Sequence, residues 1–351
     1  MVTWVNILCI GYLILLVFLA LCVEWLPLPF KPTDQDLLNI YQKPFQWDLY
    51  QSSERFHYLG SDELGRDVWV NLIYGARTAL FISVPAIILA AILGITLGLL
   101  AGYFGDNRLK LSISKLLALA LSGFCFYFYF FKVNFLFLDL DNTAILILIK
   151  VAIVCISYLL YRLLSFGLHQ FRLFRKPVKL PIDLAVLKLI ELIGAVPRLL
   201  LILILATFAP NTSVLNIIVL SVITFWPGIA RLTRAEILKI KNLPYIEAAN
   251  ALGFSPLRII VRHALPNMLV PLLVAITFGI CNLIALEATL SFLGLGLPGD
   301  MVSWGSSINK IRVNFQAWWL VLFPGLAILF TVLSLQNVNN LIIKKVNPQR
   351  K

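Results

Sequence analysis

The sequence predicts an all-α polytopic membrane protein. Apolar residues make up 60% of the 351 residues and charged residues only 13%, and the mean hydropathy is +0.91. These values lie far from the averages of soluble domains. The apolar residues also fall into runs of about 20, the length that a helix needs to cross roughly 30 Å of hydrocarbon. In such a protein the net charge of +12 indicates basic loops rather than a nucleic-acid site.

Eight apolar runs predict eight membrane spans. They cover residues 5–26, 78–103, 116–131, 144–164, 189–208, 214–230, 266–286 and 317–343. No Lys or Arg precedes the first run and no small-residue cleavage site follows it, which favours an anchor over residues 1–26 rather than a secretory signal. The five cysteines lie within apolar runs and lack metal-ligand or redox spacing, so we expect them to be buried small hydrophobic residues.

A polar, mainly acidic segment over residues 27–75 follows the first span. Ser61 is positioned to cap a helix, and Leu64, Val68 and Leu72 follow at helical spacing. We therefore expect an amphipathic interfacial helix that leads into the second span. Asp62, Glu63 and Asp67 follow Ser61. Acidic residues are favoured at a helix N-terminus and can form local ion pairs, so we favour this interpretation over a catalytic acidic cluster.

Small residues recur every four positions in the second span, at Gly94, Gly98 and Gly102. Such a stripe allows two helix backbones to approach closely in a membrane. The sequence therefore predicts that this span is an inner helix.

Basic residues are concentrated in four clusters, at 108–115, 162–188, 231–262 and 344–351. If the chain starts in the cytoplasm, all four clusters fall on one side of the membrane and the acidic segments fall on the other. Because positively charged loops remain cytoplasmic, this distribution predicts that both termini are cytoplasmic.

A polar island interrupts the apolar sequence at residues 245–267, which read YIEAANALGFSPLRIIVRHALPN. Residues 247–249 favour a helix, Gly253 is typical of a helix end, and residues 255–256 combine an N-cap serine with a proline at the first helical position. The pattern predicts helix, sharp turn, helix. The second helix would carry Arg258, Arg262 and His263 and end near Leu265 and Pro266.

This island resembles the EAA signature of ABC-importer permeases, and its RHALPN ending is similar to the form common in the peptide-transport branch. Six further pieces resemble the same family in the same order: LGSDELGRDVWVNLIYGART (59–78), GLLAGYFG (98–105), WPGIARL (226–232), LEATLSFLGLGLP (286–298), SWGSSI (303–308) and FPGLAI (323–328). The resemblance is to the second permease subunit of oligopeptide, dipeptide and nickel importers. It covers most of 59–106 and 181–351.

The resemblance implies a six-span type I importer permease core in residues 76–106 and 181–351. About 75 residues interrupt it, and we interpret residues 107–180 as an inserted two-span hairpin. A lipid-facing appendage is the favoured interpretation of the hairpin, and docking of a partner or lining of the pathway is the alternative.

The resemblance also implies how the protein works. In this family the EAA loop, here residues 231–266, forms coupling helices that dock on an ATP-binding subunit. The implied docking residues are Glu247, Ala248, Ala249, Gly253, Arg258, Arg262, His263, Leu265 and Pro266. No G-x-x-x-x-G-K-[ST] sequence occurs, so we expect no catalytic residue, cofactor or metal on this chain, and ATP would be used by partner subunits.

The expected partners are a sister permease, two ATP-binding subunits, an extracytoplasmic solute-binding protein and membrane lipid, with no nucleic acid. The expected location is the cytoplasmic (inner) membrane of a prokaryote. Peptides are the favoured substrate, and nickel or another small solute is the alternative.

Candidates for the translocation pathway or its gate are Glu191, Pro197, Arg198, Glu287 and Trp304. Ionisable residues inside spans are costly and therefore suspect, and proline permits kinks. Ion pairing within one helix and snorkelling of the arginine are the structural alternatives.

Two other classes of protein fit less well. A secondary transporter would be expected to show internal repeats and polar ion-binding residues at mid-membrane, and neither is evident. An intramembrane hydrolase needs a nucleophile with a base or a zinc motif, but the three histidines fall in loops or at an interface and H-E-x-x-H is absent.

Overall fold

The computed structural model describes residues 4–45, 56–136, 143–207, 213–295, 297–298 and 301–346. The helices are α1 (Trp4–Cys22), α2 (Val68–Leu99), α3 (Ile113–Leu136), α4 (Thr143–Gln170), α5 (Ile182–Gly194), α6 (Arg198–Thr207), α7 (Val214–Ile240), α8 (Pro244–Ala251), α9 (Pro256–Ile259), α10 (Leu265–Phe292), α11 (Trp304–Asn309) and α12 (Trp319–Val346). Leu100–Phe104 and Ile260–Ala264 are π-helical turns, and Arg172–Arg175 and Lys310–Arg312 are 3-10 turns. Strands β1 (Lys110–Ser112) and β2 (Pro177–Lys179) pair antiparallel.

The chain divides into two compact units. The first contains Met1–Tyr103 together with Val186–Lys351, and the second contains Phe104–Ala185. The hairpin predicted at 107–180 lies within the second unit.

Within the described residues, six helical stretches are long and apolar enough to cross a membrane. They are Trp4–Cys22, Val68–Phe104, Leu148–Gln170, Val214–Ile240, Pro256–Phe292 and Trp319–Lys344. These stretches correspond to six of the eight predicted spans. A seventh prediction, at 116–131, falls on α3, whose apolar part Ile113–Tyr129 is shorter than the others.

The described part of the span predicted at 189–208 consists of two helices, in agreement with a kink at Pro197. Helix α5 ends at Gly194, α6 begins at Arg198, and the two helices are bent by 83°. The break follows from Pro197, since proline disfavours the helical conformation of the residue before it. If α5 and α6 are counted together as one broken span, the described residues of the first unit contain six spans, because five of the six stretches above also belong to this unit.

Gly94 and Gly98 of the glycine stripe lie on α2 and pack closely against α7, in agreement with the predicted close helix packing. A Cβ atom at Gly94 would lie 2.8 Å from the carbonyl oxygen of Trp226, and one at Gly98 would lie 2.5 Å from that of Ala230. Both distances are too short for real side chains, so the backbones of α2 and α7 touch here because the residues are glycine.

Replacing Gly98 by leucine is expected to force α7 away from α2 and to lower the free energy of unfolding by about 3 kcal/mol, the upper range for overpacking. Thermal unfolding in detergent measures the effect. Gly123→Leu is the matched control, since a Cβ at that glycine of α3 would meet nothing within 4 Å. Equal stability of the two variants would contradict the packing assignment.

Helix α2 starts later than predicted, and residues 61–67 form a turn rather than an interfacial helix. Asp67, not Ser61, is the N-cap residue, and its Oδ1 accepts a hydrogen bond from the Val70 N–H at 2.9 Å. Asp62 Oδ1 accepts from the N–H groups of Leu64 and Arg66 at 2.9 and 2.8 Å. Such local side-chain hydrogen bonds compete with helix formation, which explains the delay.

Buried polar contacts hold this turn against the rest of the first unit. Asp67 Oδ2 lies 2.8 Å from His57 Nδ1, and the Lys310 Nζ lies 2.5 Å from Asp62 Oδ2. Trp319 Nε1 donates to the Ser61 carbonyl oxygen at 3.0 Å. Asp62 and Asp67 therefore have structural partners, in agreement with the prediction of capping and ion pairing for these two acids.

The expectation that all cysteines are buried is wrong. All five are free, but Cys281 alone is buried and Cys155 is exposed. Cys155 lies on α4. None of the residues in the most apolar 18-residue part of Leu148–Gln170 is buried within the protein.

Candidate coupling surface

Helix α8 carries the start of the EAA-like sequence and is sharply delimited at both ends. Pro244 occupies the first turn, where its missing N–H leaves no hydrogen bond unmade. At the other end, Gly253 has a φ of +77°. Its N–H donates to the Asn250 carbonyl at 3.0 Å and that of Phe254 donates to Ala249 at 3.2 Å. This Schellman motif requires a left-handed residue, which explains the glycine.

The second helix begins as predicted, but its predicted end near Leu265 and Pro266 is wrong. Ser255 caps α9 through its Oγ, which accepts from the Arg258 N–H at 3.4 Å. The chain then passes through the π-helical turn Ile260–Ala264 directly into α10. A widened turn accommodates Pro266, which has no N–H and whose ring crowds the preceding turn. The second arm of the loop is therefore continuous with a membrane span.

Side-chain contacts fasten α8 to that continuous helix. Asn267 Nδ2 donates to the Tyr245 hydroxyl at 2.8 Å and to the His263 carbonyl at 2.7 Å. The Phe254 and His263 rings stack with centroids 6.3 Å apart, and the Arg258 guanidinium lies 5.0 Å from the Phe254 centroid. The loop is therefore a preformed body rather than a flexible connection.

Two leucines on either side of the Gly253 turn are exposed. Leu252 is 74% exposed and Leu257 is 70% exposed. Among the residues that the resemblance implies, Glu247, Ala248, Gly253, Arg258, Arg262 and Pro266 are exposed, His263 and Leu265 are half-buried and Ala249 is buried. We call the exposed side chains of Glu247, Leu252, Leu257, Arg258 and Arg262 the coupling surface.

Sequence reasoning did not single out Leu252 and Leu257, because leucine is common in a chain with 60% apolar residues and does not by itself indicate a site. The signal was their position on both sides of a glycine turn inside a polar island. Neighbouring exposed apolar side chains can belong to an interaction site, so Leu252 and Leu257 are added to the candidate residues.

The first arm of the loop is attached to the core of the first unit. Lys241, the C-cap residue of α7, donates from Nζ to the Gly102 carbonyl oxygen at 3.1 Å. Gly102 itself packs on Ile237 of α7. Force applied to the loop would therefore reach α2 and α7 as well as α10.

The structure places three pathway candidates around the break between α5 and α6. Glu191 Oε2 lies 2.7 Å from Lys188 Nζ on an exposed face, which confirms the predicted pairing. The Arg198 guanidinium lies 4.2 Å from the Phe225 ring centroid. Pro197, Arg198 and Arg231 line a cavity of about 300 Å³ beside α7. These positions leave a pathway role as a prediction.

The other two pathway candidates lie in the packed interior. Glu287 is 2% exposed, and its Oε1 accepts from Ser291 Oγ at 2.7 Å. Trp304 is also buried, and its Nε1 donates to the Leu72 carbonyl at 2.9 Å. The bond of Trp304 joins α11 to α2, whereas the bond of Glu287 lies within α10. The role of both side chains in a gate stays a prediction.

Residues 178–348 match the family of binding-protein-dependent transport system inner membrane components. Three relatives align over most of the chain. The Di/tripeptide transport system permease protein DppC of Pseudomonas aeruginosa is 28% identical over 97% of this chain and 86% of its own length. The Dipeptide transport system permease protein DppC of Haemophilus influenzae is 26% identical over 92% and 83%. A Brucella suis protein, provisionally named a peptide transport system permease, is 29% identical over 84% and 74%.

A solved structure of the MetNI methionine ABC transporter in an inward-facing conformation is also similar. It superposes with a TM-score of 0.50 and 16% identity, over 80% of this chain and 97% of the matched chain. At this identity the likeness concerns the fold alone. It agrees with the expected fold of an ABC importer permease.

Proposed function

We propose that this chain, whose residues 178–348 match the family of binding-protein-dependent transport system inner membrane components, forms one half of the translocation path of an ATP-driven peptide importer. A sister permease would form the other half. Two ATP-binding subunits would bind and hydrolyse ATP, and an extracytoplasmic binding protein would deliver the solute. Both termini would then be cytoplasmic.

The observation that carries this proposal is the exposed, preformed coupling surface. Leu252 and Leu257 present apolar area at a turn, with Glu247 on one side and Arg258 on the other. Apolar anchors surrounded by charged side chains are typical of a docking site for another protein. The docked partner would be the ATP-binding subunit.

The contacts of the loop support a mechanism in which the ATP-binding subunits move it as a lever. The hydrogen bonds of Asn267 and the stack of Phe254 on His263 keep α8 fixed to α9 and α10. A rigid loop transmits displacement, whereas a flexible loop would absorb it. Because α9 continues into α10, movement of the loop would reorient a membrane span.

The names of the relatives support a peptide as substrate. Two of the relatives described above are named for dipeptide or di/tripeptide transport. Nickel or another small solute is the alternative within the same kind of importer.

Reconstitution tests the proposal and separates the substrates. The chain would be co-purified in mild detergent with its ATPase, sister permease and binding protein, and placed in proteoliposomes containing ATP. We expect uptake of radiolabelled dipeptide that stops when ATP is replaced by a non-hydrolysable analogue. Uptake of radiolabelled Ni²⁺ but not dipeptide would favour the alternative, and uptake driven by an ion gradient without ATP would refute the importer.

Replacing Gly253 by alanine is expected to reduce uptake several-fold without preventing membrane insertion. A non-glycine residue in the left-handed conformation costs about 1–2 kcal/mol, which would distort the turn that presents Leu252 and Leu257. The matched control is Gly105→Ala, because Gly105 also has a positive φ and open space around it. Unchanged uptake by the Gly253 variant would show that the shape of this turn does not matter.

A further inference from the structure

The second compact unit, Phe104–Ala185, carries none of the side chains of the coupling surface. It contains α3 and α4, and the strands β1 and β2 join the start of α3 to the chain that follows α4. The two strands form an antiparallel ribbon in which Leu111 faces Val178 across the pair. The ribbon therefore lies at one end of the hairpin.

Three lysines on this ribbon or next to it are exposed. Lys110 pairs directly with Lys179 in the ribbon register, and Lys176 immediately precedes β2. Two like charges directly opposite each other in a sheet destabilise it. Within the described residues no carboxylate forms an ion pair with any of the three. The carboxylate of Asp106 is instead bound by the Leu184 N–H at 3.0 Å. The ribbon thus holds cations that an external anion would stabilise.

The turn between α4 and β2 combines arginine with exposed apolar side chains. Phe171 is 63% and Leu173 is 66% exposed, and Arg172 between them is also exposed. Arg175 Nε donates to the His169 carbonyl at 2.7 Å. The positive charges of the arginines interact favourably with the C-terminal end of the α4 dipole, and this interaction alone could explain their position. That explanation does not extend to the lysines of the ribbon.

The position of this turn indicates the depth at which it lies. Residues Leu148–Gln170 are long and apolar enough to span a membrane, and none of the residues in their most apolar window is buried. We expect such a helix to be covered by lipid tails. The turn begins where this stretch ends, so its phenylalanines and cations lie at the level of the lipid headgroups, where aromatic and basic residues are favoured.

We propose that Lys110, Lys176 and Lys179, together with Arg172, form a binding site for the phosphate groups of anionic phospholipids. The phenylalanine and leucine side chains of the turn would contact the upper part of the lipid tails. An amphiphile fits this arrangement because cations and exposed apolar groups alternate along the turn, whereas a soluble anion would use only the cations. The inserted hairpin is thereby a lipid anchor for the permease, whichever solute is transported.

The experiment uses the purified importer complex and phosphatidylglycerol as the probe. Native mass spectrometry counts bound lipids during titration with phosphatidylglycerol or, separately, with zwitterionic phosphatidylethanolamine. In the triple variant K110Q/K176Q/K179Q, we expect the apparent affinity for phosphatidylglycerol to fall about tenfold or more, with phosphatidylethanolamine binding unchanged. The substitutions remove the Lys110–Lys179 repulsion and should therefore leave the ribbon folded.

A control triple variant removes the same charge elsewhere. Lys188, Lys239 and Lys344 are exposed, and K188Q/K239Q/K344Q is expected to bind phosphatidylglycerol within about twofold of the unmodified complex. The charge-conserving variant K110R/K176R/K179R should retain the affinity. If both glutamine variants lost the same affinity for phosphatidylglycerol, the lipid would be attracted only by the net charge of the protein. If millimolar inorganic phosphate displaced the lipid, the site would be one for soluble anions. Either result would overturn the proposal.

Discussion

Replacing Leu252 and Leu257 together by aspartate is expected to abolish ATP-driven uptake while the chain remains folded and inserted. Both side chains are largely exposed, so their loss removes little internal packing. If they are buried by the ATP-binding subunit, the interface loses about 1.5–3 kcal/mol for each leucine. The introduced carboxylates add a desolvation cost. Association with a tagged ATPase in detergent, measured together with uptake and thermal unfolding, tests this expectation.

The matched control for this double variant lies in the polar segment that follows α1. Leu37 and Leu38 are adjacent and are 64% and 94% exposed. Their replacement by aspartate should leave association with the ATPase unchanged, since the loop charges predict that this segment lies on the other side of the membrane. If the Leu252/Leu257 variant associated with the ATPase as well as the unmodified chain does, the two leucines would not be part of the coupling surface.

Replacing Lys310 by alanine is expected to destabilise the first unit by about 3–5 kcal/mol, the usual effect of breaking a buried ion pair. Lys310 Nζ lies 2.5 Å from Asp62 Oδ2, and the Asp62 side chain is only 1% exposed. The substitution would leave a buried carboxylate whose remaining cation, Arg66 Nε, lies 4.0 Å from Asp62 Oδ2. Thermal unfolding of the purified chain measures the loss. The double variant Asp62→Asn/Lys310→Met should recover part of it, because asparagine keeps an oxygen for the N–H groups of Leu64 and Arg66.

An exposed ion pair provides the comparison. Lys188 and Glu191 approach to 2.7 Å, but their side chains are 68% and 60% exposed. Lys188→Ala should therefore change the free energy of unfolding by less than about 1 kcal/mol. If Lys310→Ala and Lys188→Ala changed the free energy of unfolding by similar amounts, burial would not account for the strength of the Lys310–Asp62 pair.

The membrane spans could be predicted because hydropathy and length are properties of continuous sequence. Hydropathy does not show how sharply a single residue bends an apolar run. The run at 189–208 is apolar enough to cross, but Pro197 breaks it into α5 and α6. Composition alone does not show whether an apolar run is one straight helix.

The turn before α2 illustrates a second kind of failure. Ser61 and the apolar residues after it have the spacing of a capped helix, yet Asp62 binds the N–H groups that a helix would need. Two sets of local hydrogen bonds compete here, and contacts with distant residues decide between them. Lys310 is one such residue, since it neutralises Asp62.

The sequence by itself determined the membrane class of this protein, the stripe of glycines on α2 and the helix–turn–helix of the polar island. These features follow from local sums of hydropathy and from the backbone preferences of single residues such as Gly253 and Pro256. Only the tertiary structure decided that α9 continues into α10, that Leu252 and Leu257 are exposed, and that Asp62 is buried against a lysine 248 residues away in the chain. Exposure and ion pairing depend on which distant segments meet, and no local pattern contains that information.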